Sequence, residues 1–410
     1  MSEIEKKFKG EQKFKLHVEM SIKNPDTTGD NLPIIFSCEN LDIDKLEYAI
    51  NRIVERHESL RSNYVIENDV LFQIVRKYTP VKIKRLSEPY KGNFSKPFDI
   101  EKDSPLRFAV FENTVYADFN HSFIDGFGLG IFFHELNDFY IGKDVKSRIS
   151  RTEDLIVPDE LYKVNAEFYK SYFPKNLNKT VVKYDFENVN RPDIGPAENI
   201  FYNIDDQFMN KIKEAAKLNG VTPNNFTGAA FHLLIAMMTR QNVVYVQTNV
   251  SSRNMKNFRN IGLYLSSLFM RLIVNQNETL KDFLNQELNE TKDILKHQDV
   301  KIYDLLSELG YKWNEITDIA FVYQNKMISD IRLGNQICKI TPINHTDDSY
   351  GIVLSFFARS DGAVLQLNYR SDLFKRDTMN RFIEEYIKLL KIQLDNTDLL
   401  ISDVFKLMNY

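Results

Sequence analysis

The sequence predicts an α/β fold divided into two sandwich-like lobes, and three observations support this prediction. The chain has 410 residues, which is more than one ordinary hydrophobic core accommodates. Strand-like and helix-like segments alternate along it, with few of the signals that mark tight hairpins. Residues 184–199 carry two prolines and three asparagines with little apolar periodicity, as linkers do. We therefore expect an N-terminal lobe over residues 1–183, a linker over 184–199 and a C-terminal lobe over 200–410.

The elements of the N-terminal lobe follow from the spacing of its apolar residues. Residues 41–56 place apolar side chains in one helical stripe, which predicts an amphipathic helix. Residues 138–177 are rich in aromatic side chains of the kind that form a core, and we expect them to be largely helical. Shorter apolar segments predict strands over residues 13–20, 32–38, 62–66, 70–75 and 107–111.

The C-terminal lobe shows the same alternation of elements. Asn219-Gly220 is a C-cap pair that ends a helix over residues 207–218. Pro223 occupies a tolerated first-turn position and begins the next helix, over residues 224–239. Two more helices are predicted over residues 280–295 and 377–393, and strands over 200–204, 243–250, 261–274, 318–324, 352–358 and 364–369.

Composition and charge exclude several classes of function. The formal net charge is −4 and the isoelectric point is near 6.1, so the chain lacks the electrostatic footprint of a nucleic-acid-binding protein. The longest apolar run, residues 228–238, is interrupted by His232 and falls short of the ~20 residues of a membrane span. Residues 1–15 contain no apolar signal-peptide core. We therefore expect a cytoplasmic protein with no membrane span.

The two cysteines, Cys38 and Cys338, lie in apolar strand-like stretches. A free cysteine behaves as a small apolar residue, and disulfides are rare in cytoplasmic proteins. We therefore expect two buried thiols rather than a disulfide or a nucleophile.

One loop carries the residues best placed for catalysis. Apolar residues alternate over residues 115–119, as in a strand, and recur at helical spacing over 129–136. His121 and Asp125 lie in the short loop between these elements. A neutral imidazole there can accept a proton from an alcohol or amine that attacks an acyl donor, whereas we expect Asp125 to be a structural anchor. The alternative is a histidine that merely ends the strand, and we expect no metal site because no third ligand has suitable spacing.

Several stretches, taken in order, cover essentially the whole chain and resemble one family. Residues 120–126 (NHSFIDG) resemble the HHxxxDG signature of nonribosomal peptide synthetase condensation domains. Those domains belong to the chloramphenicol acetyltransferase-like, CoA-dependent acyltransferase superfamily. Further matches to the family are Arg56–Arg61 (RHESLR, the RHExLR motif), residues 97–99 (PFD), 105–107 (PLR), 261–271 (IGLYLSSLFMR), 297–299 (HQD), 321–325 and 369–374.

The resemblance implies two chloramphenicol-acetyltransferase-like α/β lobes that form a pseudo-dimer with a tunnel between them. An acyl thioester on a phosphopantetheine arm enters from one side, and the nucleophile enters from the other. His121 matches the histidine usually assigned the catalytic role, and Asp125 matches a structural aspartate paired with the last arginine of RHExLR, here Arg61. Gly126 leaves room beside the substrate, and its N–H is a candidate donor to the developing oxyanion.

The chain departs from the family pattern at three positions. Asn120 replaces the first histidine of the signature, Ser266 replaces the asparagine of IGxFVNT, and Lys301 replaces the usual proline after HQD. Asn120 and Ser266 therefore stand at predicted substrate-binding positions with altered chemistry. A single histidine is compatible with acyl transfer, but it makes peptide-bond condensation a weaker expectation.

Three functions remain open. We expect a stand-alone acyltransferase that uses an acyl-CoA or an acyl carrier protein as donor and an alcohol or amine as acceptor, because the sequence shows no adenylation or carrier segment. The alternatives are a condensation enzyme that joins two carrier-bound substrates, and a non-catalytic condensation-like module that recruits a partner protein. We expect a monomer with no permanently bound cofactor, CoA or a phosphopantetheine thioester being a co-substrate.

Overall fold

The structure of the chain is a computed structural model, which describes residues 3–92, 94–145, 156–187, 192–325, 331–341, 347–359 and 361–410. The chain forms two compact units, each built from more than one stretch of sequence. The first unit contains Met1–Pro158, Ser251–Leu265 and Met327–Asn344. The second contains Asp159–Val250, Ser266–Lys326 and His345–Tyr410.

Strands and helices alternate as the sequence predicted. The strands are β1 (Ile4–Lys9), β2 (Asn31–Ser37), β3 (Ser62–Glu67), β4 (Val70–Arg76), β5 (Lys84–Arg85), β6 (Leu106–Phe111), β7 (Thr114–Asn120), β8 (Gly195–Asp205), β9 (Val243–Ser251), β10 (Leu265–Ile273), β11 (Ile319–Asn325), β12 (Ile331–Leu333), β13 (Gln336–Thr341), β14 (Asp347–Asp348), β15 (Ile352–Arg359) and β16 (Gly362–Arg370). The helices are α1 (Lys15–Lys23), α2 (Ile43–Arg56), α3 (Gly126–Tyr140), α4 (Asp159–Lys170), α5 (Asp206–Leu218), α6 (Pro223–Thr239), α7 (Leu280–Lys296), α8 (Ile302–Glu308), α9 (Arg376–Asp395) and α10 (Ile401–Met408).

A six-stranded sheet forms the frame of the first unit, in the order β12-β13-β2-β7-β6-β5. Helices α2 and α3 bury their apolar stripes against it, and Phe119 of β7 lies 5.1 Å from Phe132 of α3 between ring centroids. A smaller sheet, β1-β4-β3, belongs to the same unit. Because β7 is hydrogen-bonded on both edges, to β2 and to β6, its last residue, Asn120, is held by a rigid scaffold.

The second unit contains a seven-stranded mixed sheet, in the order β10-β9-β11-β15-β16-β8-β14. Its central helix is α6, which is buried on every side from Asn225 to Met237. Phe231 of this helix stacks on Phe321 of β11, with ring centroids 5.1 Å apart. A helix that is apolar all round belongs in a core. Each unit thus combines a sheet with covering helices, and the predicted α/β class is confirmed.

The unit boundaries correct the predicted lobes. Residues 159–183, expected in the N-terminal lobe, belong to the second unit, because Tyr169, Tyr172 and Phe173 pack into its core. The predicted linker over residues 184–199 is partly a strand, since β8 pairs with β16 from Ala197 onward. Residues 188–191 of that linker lie outside the described residues.

The strand predicted over residues 13–20 is wrong, because this segment is helix α1, preceded by a short 3-10 turn. Lys15, Glu19 and Lys23 recur at a spacing of four, and Glu19 lies within 3.7 Å of Lys15 and 4.0 Å of Lys23. Opposite charges at this spacing support a helix. The charge pattern therefore carried a helical signal that the apolar pattern did not.

Cys38 and Cys338 form a disulfide bond, which corrects the expectation of two free thiols. β13 pairs antiparallel with β2 through Lys339↔Ser37 and Ile340↔Phe36, and this register places the two cysteines side by side. Their Cα atoms are 4.6 Å apart, within the range that a disulfide requires. Both side chains are buried, as expected. A sequence separation of 300 residues hid the pairing.

No helix among the described residues is both long and apolar enough to cross a membrane.

Candidate active site

His121 begins a 3-10 turn, His121–Phe123, directly after β7. The side chain of Asn120 caps this turn by accepting a hydrogen bond from the Ser122 N–H at 2.9 Å. The N–H of His121 donates to the main-chain carbonyl of Asp30 at 2.8 Å. The backbone of the turn is therefore fixed at two consecutive residues, and Asn120, predicted to contact substrate, has its carboxamide oxygen committed to the turn.

The imidazole of His121 is partly exposed, as a proton acceptor for a substrate must be. Its Nδ1 atom is buried and has no hydrogen-bond partner among the described residues. In a Ser-His-Asp arrangement, a carboxylate holds that nitrogen and fixes the ring. The structure shows no such relay at His121.

Asp125 is fully buried and both of its oxygens are occupied. Oδ1 accepts hydrogen bonds from the Gly128 N–H at 2.6 Å and from Arg253 Nη2 at 2.8 Å. Oδ2 accepts from the Tyr264 N–H at 3.0 Å. Asp125 is thus the N-cap of α3 and also its link to the segment that contains Arg253 and Tyr264. These contacts are those of a structural anchor, the role that the sequence predicts for Asp125.

The predicted partner of that anchor is wrong. Asp125 pairs with Arg253, whereas Nη1 of Arg61 lies 2.6 Å from Oε2 of Glu5 on β1. Arg61 follows α2, and its Nη1 also donates to the main-chain carbonyl of Arg76 on β4, so both of these contacts are with the small sheet. The pairing with Arg61 was implied by the family resemblance, which does not extend to this contact.

Arg253 is well suited to neutralise a buried carboxylate. Its side chain is 6% exposed, and the guanidinium carbon lies 4.7 Å from the ring centroid of Phe127 and 4.3 Å from that of Tyr264. Nη1 donates to the Asn260 carbonyl at 2.7 Å. Stacked between two rings and bonded at two nitrogens, this arginine holds one orientation.

Two glycines, Gly126 and Gly128, lie in the first turn of α3. Gly126 is the first residue of the helix, so its N–H has no partner within the helix. A Cβ on Gly128 would lie 3.0 Å from Ile124 Cγ1 and 3.2 Å from Asp125 Oδ1. Any larger residue at position 128 would therefore crowd the carboxylate that anchors the loop.

Asp118 stabilises the strand that leads to His121. Its Oδ2 accepts from Asn31 Nδ2 at 2.8 Å and from Arg107 Nη2 at 2.7 Å, which joins β7 to β2 and β6. Burial raises the pKa of this carboxyl above its usual value, although the hydrogen bond from Arg107 opposes the shift. The ion pair with Asp118 gives Arg107, the arginine of the PLR segment, a structural role.

Ser266, the other predicted substrate contact, lies on β10 of the second unit and is buried. A contact of Ser266 with substrate stays a prediction. Within the described residues, no group of three or more His, Cys, Asp or Glu side chains is arranged to hold a metal ion.

Sequence reasoning missed three residues that the structure brings to the loop. His17 contacts Ser122, Asp30 accepts from the His121 N–H, and Tyr264 donates to Asp125. Arg253 pairs with Asp125 across 128 residues of sequence, a separation that no local pattern bridges. Residues 251–265 fold with the first unit although they lie in the second half of the chain. The composition of the sequence shows no boundary at this segment.

Comparisons with known proteins match the sequence and the fold of this chain to one family. A family model described as the condensation domain matches residues 20–409. Bacitracin synthase 1 of Bacillus licheniformis is 25% identical over 397 residues, which cover 91% of this chain but only 8% of that protein. The condensation domain of the Monacolin K polyketide synthase MokA superposes with a TM-score of 0.79 at 17% identity, covering 97% of this chain and 100% of that one. A chain in the complex of the X-domain and OxyB from teicoplanin biosynthesis superposes with a TM-score of 0.79 at 16% identity. The match covers 96% of this chain and 95% of that chain.

Proposed function

Because this chain belongs to the condensation-domain family, a family that catalyses peptide or acyl transfer, we propose that it is an acyltransferase. It moves an acyl group from the thioester of CoA or of a carrier protein's phosphopantetheine arm to an alcohol or an amine. His121 is the general base. The chain spans 8% of the length of Bacitracin synthase 1. The donor, acceptor and partners are therefore proposed for this chain and are not taken from that larger protein.

The proposed reaction is a direct attack on the thioester. The acceptor O–H or N–H attacks the carbonyl carbon while His121 takes its proton, which gives a tetrahedral intermediate and an imidazolium. The C–S bond then breaks, and the imidazolium returns the proton to the departing thiolate. The Gly126 N–H is a suitable donor to the oxyanion. A positioned general base contributes roughly 10²–10⁴-fold to such a step.

One observation carries this proposal: the structure separates the two conspicuous side chains of the motif into different roles. Both oxygens of Asp125 are engaged with Arg253, Gly128 and Tyr264. His121, in contrast, is partly exposed and has no side-chain partner on Nδ1 among the described residues. The partly exposed imidazole is therefore the group of the motif that an acceptor can reach.

The test compares two histidine variants. His121→Ala should lose most of the acyl transfer and retain its melting temperature and its donor affinity. His134→Ala is the matched control, because His134 lies on α3 with 77% of its side chain exposed. Transfer is measured by mass spectrometry with a panel of acyl-CoA thioesters and acyl-loaded carrier proteins against alcohols and amines. The rate should fall in acid, since an imidazolium cannot accept a proton.

Two results would contradict this mechanism. Full activity in His121→Ala would remove His121 from the reaction. An acyl adduct that forms on the protein with donor alone, and then passes to the acceptor, would replace direct attack with covalent catalysis.

Two alternative functions are supported by the relatives. The family match and Bacitracin synthase 1 support a condensation enzyme that joins two carrier-bound substrates, which the panel detects as a product formed only when both substrates are carrier-bound. The similarity to the X-domain in its complex with OxyB supports a module that recruits a partner protein. That function predicts no turnover with any donor and no effect of His121→Ala on partner binding.

A further inference from the structure

A second imidazole reaches the proposed active-site turn from helix α1. Nε2 of His17 lies 3.0 Å from Oγ of Ser122, the residue that directly follows His121. Ser122 is buried, whereas the His17 side chain is 34% exposed. No pattern in the sequence connected these residues, which are 105 positions apart.

Asp30 connects the same histidine to His121 by a second route. Its Oδ1 lies 3.6 Å from His17 Nε2, and its Oδ2 accepts a hydrogen bond from Ser21 Oγ at 2.6 Å. The main-chain carbonyl of Asp30 accepts from the His121 N–H at 2.8 Å. The side chain of Asp30 therefore faces His17, and its main-chain carbonyl binds His121.

These contacts matter because no side chain among the described residues holds the buried ring nitrogen of His121. Its Nδ1 has no hydrogen-bond partner among the described residues, so no second side chain fixes that nitrogen. The position of the imidazole then depends on the backbone of the turn. A displacement of about 1 Å at a reacting group costs up to ~10²-fold in rate.

The geometry does not make Ser122 a nucleophile activated by a His-Asp pair. In such a triad, the serine and the carboxylate contact opposite ring nitrogens. Here Ser122 and Asp30 both approach Nε2 of His17. One ring nitrogen cannot accept the serine proton and donate to the carboxylate at the same time.

We infer that His17 is a positioning residue for His121. It holds the turn through its hydrogen bond with Ser122 Oγ, beside the Asp30 carboxylate 3.6 Å away, and so keeps the imidazole aligned with the substrate. The kinetic part of this inference rests on the proposed function, whereas the structural part does not.

The experiment uses ¹⁵N-histidine-labelled full-length protein and reads the ring nitrogen resonances of His121, assigned with His121→Ala. His17→Ala should shift or broaden these resonances while the melting temperature stays within a few degrees of the parent. His17→Gln places an amide where Nε2 lies and should restore most of the parent signal. His134→Ala, on an exposed face of α3, should leave the His121 resonances unchanged.

Kinetics supply the second measurement. His17→Ala should lower kcat by about 10-fold with little change in KM, because the turn is misplaced and the substrate contacts are kept. His17→Gln should recover most of the rate. Unchanged His121 resonances in His17→Ala would overturn the inference, as would an acyl adduct on Ser122. Shifted resonances in a protein that transfers no acyl group would support the positioning role and contradict only the proposed function.

Discussion

Asp125 is the residue on which the geometry of the His121 loop most depends. It is 1% exposed in its side chain and is neutralised by an arginine that is itself 6% exposed. Removing one member of a buried ion pair leaves the other charge uncompensated, which typically costs ~3–5 kcal/mol. The anchoring role could be predicted from the sequence, because the side chains of His121 and Asp125 need not point into one cavity and a buried carboxylate needs a partner. The identity of Arg253 could not, since 128 residues separate the pair.

We therefore expect Asp125→Asn and Arg253→Ala to lower the free energy of unfolding by ~3–5 kcal/mol each. Arg61→Ala is the comparison, because its partner Glu5 is 38% exposed and stays solvated when the arginine is removed, so its effect should be smaller than that of Arg253→Ala. Urea unfolding of the three variants decides between the partners. If Arg253→Ala unfolds like the parent while Arg61→Ala does not, Arg61 is the stabilising cation after all.

At the scale of elements, β10 and α7 meet at a partly buried carboxyl group in the second unit. Glu290 of α7 accepts hydrogen bonds from the hydroxyl of Tyr172 and from the Arg271 N–H of β10. Burial raises the pKa of Glu290 to about 7, against the lowering effect of the Arg271 hydrogen bond. The amphipathic helix α7 was predicted from apolar spacing. The partial burial of Glu290 on this helix depends on the packing of β10, which no local pattern shows.

This raised pKa has a defined effect on stability. The folded protein holds the Glu290 proton more tightly than the unfolded chain, whose carboxyl titrates near 4.5. Stability therefore falls as pH rises from about 4.5 to about 7. Glu290→Gln keeps an acceptor for both donors without the charge, so it should melt higher than the parent at pH ~8 and by a smaller margin at pH ~5.

The control for this prediction is Glu384→Gln, an exposed position on α9. Its difference from the parent should be the same at both pH values. An equal margin for Glu290→Gln at the two pH values would show that the Glu290 carboxyl does not titrate differently on folding.

At the scale of the whole molecule, the division into units was the least predictable feature. The α/β class and the order of most elements follow from periodicity, since each needs only local sequence. The assignment of Ser251–Leu265 and Met327–Asn344 to the first unit does not follow from periodicity. Strand β13 joins β2 across three residue pairs and one disulfide, and such non-local pairings leave no periodic trace in a single sequence.

We expect the disulfide to contribute to the stability of the intact chain. Closing a long loop typically stabilises a protein by ~2–5 kcal/mol, and this one encloses 300 residues of sequence separation. The double variant Cys38→Ala, Cys338→Ala should therefore melt several degrees below the parent in air. In a thiol reductant, the parent and the double variant should melt alike. Two titratable thiols in the air-oxidised, denatured parent would show that the bond does not form.

The discontinuous first unit also sets an order of events during protein synthesis. A ribosome adds ~5–20 residues per second, so the chain reaches Cys338 about 15–60 s after Cys38, given their separation of 300 residues. Throughout that interval one edge of β2 lacks its neighbour, and an open strand edge invites pairing with other chains. Asp125 likewise lacks its partner until Arg253 has been synthesised. The nascent protein therefore has a long period in which a chaperone that covers β2 would matter more than it does for the finished molecule.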